Sequence, residues 1–143
     1  MNERNGKVHW SFWLIGGLAL LWHIGGCANY LSQMNTDFVA TLPESHRAII
    51  DGRPAWATGG FAIAVFGGAI ASLLLLLRKS VAFYGYVVSL AGVLLTMIHT
   101  VQVATGKYSF SGGEIFIMVI LPIIVSGLLI WYSKTCEKKL WIR

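Results

Sequence analysis

Four polar side chains lie in long uncharged stretches of the sequence, and their types could support chemistry there. They are His23, Asn29, His99 and Gln102. Polar groups in a hydrocarbon environment are candidates for proton relays, solute sites or cofactor ligands. The same neutral side chains also form hydrogen bonds between helices, each worth about 0.6–2 kcal/mol. We interpret them first as interhelical hydrogen-bonding groups and second as a ligand site.

The sequence does not bring together the residue types that catalysis or metal binding would need. No Asp or Glu lies within the uncharged stretches, which argues against proton-coupled export. Glu114, at the edge of one stretch, has a structural role as a capping acid at a helix start. Cys27 and Cys136 form no CxxC pair, so neither a thiol oxidase nor a disulfide is expected. We therefore expect a protein that is not an enzyme and that has no cofactor or metal.

The charged residues divide the chain into four uncharged stretches that are long enough to cross a membrane. About 18 apolar residues span roughly 30 Å of hydrocarbon as a helix, and 56% of this chain is apolar against 12% charged. The stretches lack the alternating pattern of a membrane β-barrel. The sequence predicts an all-α polytopic membrane protein, one domain over residues 1–143 folded as a four-transmembrane-helix bundle. The predicted helices cover about residues 10–31, 55–77, 81–104 and 113–133.

The longest connection between predicted spans, residues 32–53, contains a further helix signal. A Thr-Leu-Pro-Glu capping box with Thr41 as N-cap predicts a helix that ends near Ile50. Its apolar and charged side chains fall on different faces. We therefore expect a short amphipathic helix in this outer loop, with Ile49 and Ile50 facing apolar surroundings. A second capping box begins at Ser111 and predicts the start of the last span.

Small residues recur at every fourth position of the predicted second span. Lipid tails are as apolar as leucine, so membrane helices associate where small residues let their backbones approach closely. We predict that this face packs against neighbouring spans. The residues on it are Gly60, Ala64, Gly68 and Ser72. In the last span, Pro122 should produce a kink.

The rise of an α-helix allows the depths of the polar side chains to be compared. At about 1.5 Å per residue, His23 lies about 20 Å and Asn29 about 28 Å along the first span. Thr96 lies about 22 Å and His99 about 27 Å along the third span, which runs in the same direction. We predict a buried polar patch with His23 near Thr96 and Asn29 near His99, a patch that also includes Gln102. The unequal depths of the two histidines disfavour them as ligands of one haem iron.

Basic residues are distributed unequally between the two sides of the predicted bundle. Eight lie in the tails and the short second connection, and three lie in the first and third connections. The positive-inside rule places the richer side, and so both termini, in the cytoplasm. The net charge of +5 comes from these flanking residues and does not indicate nucleic acid as a partner. The eight are Arg4, Lys7, Arg78, Lys79, Lys134, Lys138, Lys139 and Arg143, and the three are Arg47, Arg53 and Lys107.

One segment of the chain resembles a known family. The sequence PAWATGGFAIAVFGG from Pro54 to Gly68, followed by a leucine run and Arg78-Lys79, is similar to an uncharacterised family of small bacterial four-span inner-membrane proteins. The segments SFW near the start and IWYSK near the end fit the same family, so the resemblance covers nearly the whole chain. Some members carry an automatic "sugar transporter" label. The resemblance implies the four-span fold and a bacterial inner membrane, and it implies no site residues.

Three functions remain open from the sequence. The first is a non-enzymatic accessory or interaction subunit, in contact with the lipid bilayer and with another membrane protein or a second copy of itself. The second is a small oligomeric transporter or facilitator of a neutral solute. The third is a haem or quinone protein that uses His23 and His99. The run before Cys27 loosely resembles a lipoprotein signal, but its length and Trp22 favour a retained span.

The charge distribution predicts a specific membrane topology. A reporter that works only in the cytoplasm should be active when it is fused after Arg143, because the basic residues hold that side inside. A reporter that works only in the periplasm should be active when it is inserted within residues 32–53. Periplasmic activity of the C-terminal fusion would contradict the predicted topology.

Overall fold

The computed structural model describes residues 7–106 and 108–143, and these contain four long apolar helices. We name them the first span (Trp10–Ser32), the second span (Ala55–Leu76), the third span (Ala82–Ala104) and the fourth span (Gly112–Lys138). Each is long and apolar enough to cross a membrane, and no strand occurs in the described residues. The predicted all-α four-helix membrane fold is confirmed. Arg4 and Lys107, which enter the charge count, lie outside the described residues.

The fourth span extends five residues beyond its predicted end and has an irregular turn near its start. Lys134 and Glu137 form an ion pair within its last turns, so the charges mark the end of the apolar segment but not the end of the helix. Near the start, Phe116–Ile120 form a π-helical turn, and Pro122 lies in the first turn of the regular helix that follows. A proline cannot donate a backbone hydrogen bond, and the wider turn accommodates it.

The long connection contains two short helices where one was predicted. They are Thr36–Ala40 and Glu44–Asp51. Asn35 begins the first, because its side chain accepts hydrogen bonds from two backbone N–H groups. Thr41 then ends that helix, and its hydroxyl donates to the carbonyl oxygen of Phe38 (2.6 Å). The predicted capping box at Thr41 is therefore wrong.

The second capping box is present as predicted. The Ser111 hydroxyl accepts a hydrogen bond from the Glu114 N–H (3.2 Å), and the Glu114 carboxylate accepts one from the Ser111 N–H (2.8 Å). These bonds satisfy backbone donors that have no partner within a helix start. They fix where the fourth span begins.

The four spans pack in chain order, each against the next. The first packs on the second, the second on the third and the third on the fourth, while the first and fourth have at most marginal backbone contact in the described residues. The helix Glu44–Asp51 packs on the third span with Ile49 buried. We call the end of the bundle that holds this helix the connection end, and the opposite end, where Lys7 and Arg143 lie, the terminal end.

Small residues bring the second and third spans into close backbone contact. A Cβ atom added at Gly92 would lie 2.5 Å from the carbonyl oxygen of Gly60 and 2.6 Å from the backbone nitrogen of Ala64. One turn earlier on the third span, the Ser89 hydroxyl donates to the carbonyl oxygen of Ala64 (2.6 Å). Glycine is required at position 92 because any side chain there would meet backbone atoms that cannot move aside.

Large buried side chains fill the terminal end of the bundle. Phe12, Leu75, Tyr86 and Ile142 are at most 1% exposed and belong to one cluster that joins all four spans to the C-terminal residues. The chain end is held there by backbone hydrogen bonds, including one from the Arg143 N–H to the carbonyl oxygen of Arg78 (2.9 Å). The bundle is therefore closed at this end.

Replacing Gly92 with alanine should destabilise the protein, because the new methyl group must push the second and third spans apart. Overpacking of this kind costs about 1–3 kcal/mol. Gly67 on the second span is the matched control, since a Cβ atom there meets nothing within 4 Å. Thermal unfolding in a mild detergent should show a lower Tm for Gly92→Ala and an unchanged or higher Tm for Gly67→Ala. Equal Tm values would contradict the described packing.

Candidate functional site

A cleft of 530 Å³ opens at the connection end of the bundle, where the first and fourth spans separate. The second and third spans form its floor, and the helices of the long connection border it. Most of its walls are apolar. They include Trp22, Gly25, Gly26, Phe38, Leu42, Ile49, Phe61, Val65, Val93, Met97, Ile117 and Met118.

The polar groups of the cleft include cationic and neutral side chains, and none of its described lining residues is Asp or Glu. Arg53 supplies the positive charge. The other polar lining residues are His23, Asn29, Gln33, His46, Thr96, Thr100 and Ser126. His23 lies deep in the bundle, and Arg53, Gln33 and Asn29 form a hydrogen-bonded group at the connection end.

His23 is the deep polar group, and its hydrogen bond fixes which ring nitrogen carries the proton. Nδ1 lies 2.8 Å from the carbonyl oxygen of Ala19, which can only accept, so Nδ1 carries the hydrogen. In the neutral ring, Nε2 is then an acceptor, and it has no hydrogen-bond partner among the described residues. The ring lies against Gly68, where an added Cβ atom would be 2.1 Å from Nε2. Glycine at position 68 therefore makes room for the imidazole.

Ser72 and Tyr86 support His23 from the neighbouring spans. The buried Tyr86 hydroxyl donates to Ser72 Oγ (3.0 Å), and the Ser72 hydroxyl donates to the carbonyl oxygen of Gly68 (2.8 Å). Ser72 Oγ also lies 3.2 Å from His23 Nδ1. Tyr86 was not among the predicted residues. The available signal was a tyrosine in the second turn of an apolar helix, because a buried phenol needs a hydrogen-bond partner.

Arg53 occupies the connection end of the cleft, and only some of its hydrogen-bond donors have partners. Its Nη2 donates to Gln33 Oε1 (2.8 Å), and Gln33 Nε2 donates to Asn29 Oδ1 (3.2 Å). The guanidinium carbon lies 5.2 Å from the centre of the Phe61 ring, within cation–π range. Its Nε is buried without a hydrogen-bond partner among the described residues. Burial lowers the pKa of the Arg53 guanidinium.

The residues predicted to pair across the bundle have other partners. The His99 Nε2–H donates to the carbonyl oxygen of Ile49 (3.0 Å), and the Thr96 hydroxyl donates to that of Ala57 (3.2 Å). Asn29 pairs with Gln33. His23 contacts Gly68 whereas Thr96 contacts Gly60, which lies eight residues or about 12 Å away along the second span, so these two residues are not at the predicted equal depth. The second span lies between the first and third and supplies partners for His23 and Thr96. The partner of His99 lies in the helix Glu44–Asp51, and that of Asn29 directly follows the first span.

Burial also differs from the predicted patch. His23, Thr96 and His99 are buried, whereas Asn29 and Gln102 are exposed. His99 and Gln102 are not among the described lining residues of the cleft. The predicted packing face is divided between two neighbours. Gly60 and Ala64 meet the third span, and Gly68 meets His23 of the first span. Ser72 contacts both, through His23 and through Tyr86 of the third span.

A double-mutant cycle between Ser72→Ala and Tyr86→Phe tests the hydrogen bond beneath His23. Each single change removes one partner, and the pair should be coupled by about 0.6–1.7 kcal/mol, the range for such bonds in membrane proteins. Reversible unfolding in mixed micelles measures the free energies. Ser32→Ala provides the control, because the exposed Ser32 hydroxyl bonds only within its own helix, so that its effect should add to that of Tyr86→Phe. Additivity in the first cycle would contradict the contact.

No group of three or more His, Cys, Asp or Glu side chains that could hold a metal ion occurs in residues 7–106 and 108–143. In comparisons with protein-family models, curated proteins and solved structures, no match to this chain was found.

Proposed function

We propose that this chain is a non-enzymatic membrane protein that holds a small amphipathic molecule in the cleft at the connection end, and that it serves through this site as an accessory or interaction subunit. The observation that carries the proposal is the cleft itself. Its 530 Å³ lie within the roughly 300–1,000 Å³ of known ligand pockets. Such pockets combine apolar walls with a few placed polar groups.

The arrangement of polar groups suits a molecule with one polar end and an apolar body. Arg53 and Gln33 offer hydrogen-bond donors where the second span begins, next to the long connection. The walls further along the spans are formed by side chains such as Val65, Met97 and Met118. A fully polar solute would leave these walls without suitable partners, whereas an alkyl chain or ring would fill them.

Two other functions receive less support from the packing. A facilitator of neutral solutes needs a path through the bundle, and Phe12, Leu75 and Tyr86 fill the terminal end with buried side chains. A haem or quinone site that uses both histidines would need His99, whose Nε2–H is already bonded to the carbonyl oxygen of Ile49.

The proposed location is a bacterial inner membrane with both termini in the cytoplasm. The unequal distribution of basic residues supports this orientation. The cleft would then open towards the outer leaflet. A ligand could enter it from the lipid between the first and fourth spans.

Filling the cleft should remove the bound molecule. We expect the protein purified from native membranes in mild detergent to carry a small amphipathic molecule that is detected by mass spectrometry after solvent extraction. Met118→Trp should reduce its amount several-fold, because the indole would occupy the cleft. Leu128→Trp is the control, since Leu128 is exposed on the same span and does not line the cleft. Equal amounts in both variants, or no such molecule in the unmodified protein, would contradict the proposal.

A further inference from the structure

We propose that the cleft selects an anionic amphiphile, a molecule with a carboxylate or phosphate head and an alkyl chain, and that the head binds Arg53. This inference rests on the proposed function and adds to it the chemical class of the ligand. It is carried by the unpaired donor of Arg53, by the absence of carboxylates among the described lining residues and by the apolar walls beyond them.

Arg53 is held in place but retains donors for a ligand. Its Nη2 is bonded to Gln33 and its guanidinium plane contacts Phe61, so the side chain is fixed in the cleft. Its Nε is buried and has no hydrogen-bond partner among the described residues. A guanidinium presents five donors in a planar fork that matches the oxygens of a carboxylate or a phosphate. An oxyanion in the cleft beside this fork would supply acceptors that the described residues do not provide.

The charge of Arg53 is not balanced by the described part of the chain. The ion pair found there joins Lys134 and Glu137 at the terminal end, and no carboxylate lies within ion-pairing distance of Arg53. A partly buried cation without a counter-ion is unfavourable, and an anionic partner would offset that cost. Charge-assisted hydrogen bonds to an anionic head are among the strong ones in proteins.

The position of Arg53 along the fold matches that of a lipid head. It stands just before the second span, and the cleft extends from there along the spans to the level of His23 and Gly68. The helix from Ala55 to Gly68 is fourteen residues long, which corresponds to about 20 Å. A head bound to Arg53 would therefore leave its alkyl chain lying along the apolar walls within the hydrocarbon depth.

Binding of matched probes to the full chain in a non-ionic detergent tests the inference. The probes are hexadecyl phosphate, hexadecanoic acid and hexadecanol, which share one chain length and differ in the head. Native mass spectrometry or calorimetry should show at least one of the two anions binding about tenfold or more tightly than the alcohol. The stronger of the two identifies the preferred head. In Arg53→Gln the affinity for the anion should fall to that for the alcohol.

The control variant is Arg47→Gln, which removes the same charge from the long connection. Arg47 lines a separate, smaller cavity with Asp51 and not the cleft, so the preference for the anion should persist. Equal binding of all three probes, or an anion preference that survives in Arg53→Gln, would overturn the inference and leave the proposed function standing. If none of the probes binds to the unmodified chain, both are overturned. Comparison of the three heads on the unmodified chain needs no substitution, so the test holds even if Arg53→Gln folds poorly.

Discussion

The close approach of the second and third spans at Gly92 is the constraint on which the other contacts depend. Lipid offers helices no hydrophobic reason to associate, so contact has to come from close packing and from interhelical hydrogen bonds. Gly60, Ala64 and Gly92 supply the packing, and the hydroxyls of Ser89 and Thr96 donate to backbone carbonyls of the second span. The first and fourth spans are then added on opposite sides of this pair, and this leaves a gap between them.

Side-chain size decides which end of that gap is filled. At the terminal end Phe12, Tyr86, Leu129 and Ile142 occupy the space between the spans. At the connection end the first span presents small residues such as Gly26, and the fourth span has a π turn followed by Pro122. Small side chains and an irregular helix cannot fill the same volume. The bundle is therefore open at the connection end and filled at the terminal end by the aromatic and aliphatic core.

The fold could be predicted from the sequence because hydrocarbon imposes simple rules. Three local patterns each indicate one structure. They are the uncharged stretches, the capping box at Ser111 and the stripe of small residues. The short helix Thr36–Ala40 was missed because the cap at Asn35 lies in a loop with no strong periodic signal. The end of the fourth span was missed because Lys134 and Glu137 are charged but remain compatible with helix.

The site was less predictable because depth along a helix does not identify neighbours. His23 and Thr96 do not stand at the same height, because the second span lies between their helices and meets His23 at Gly68 but Thr96 at Gly60. In the sequence, Arg53 has only the features of a determinant of topology, since its charge flanks a span. Its contacts with Gln33 and Phe61 depend on residues distant in sequence, and only the folded chain reveals them.

The central claim is that the bundle is closed at one end and open at the other. Electron–electron double resonance measures it directly in a lipid nanodisc, with spin labels placed on the first and fourth spans in two separate pairs. One pair, at Trp13 and Lys138, reports on the terminal end, and the other, at Leu31 and Ile115, reports on the connection end; all four residues are exposed. The account predicts a short, narrow distance distribution for the first pair and a clearly longer distribution for the second. Equally short distances at both ends would show a closed four-helix bundle and would contradict the cleft.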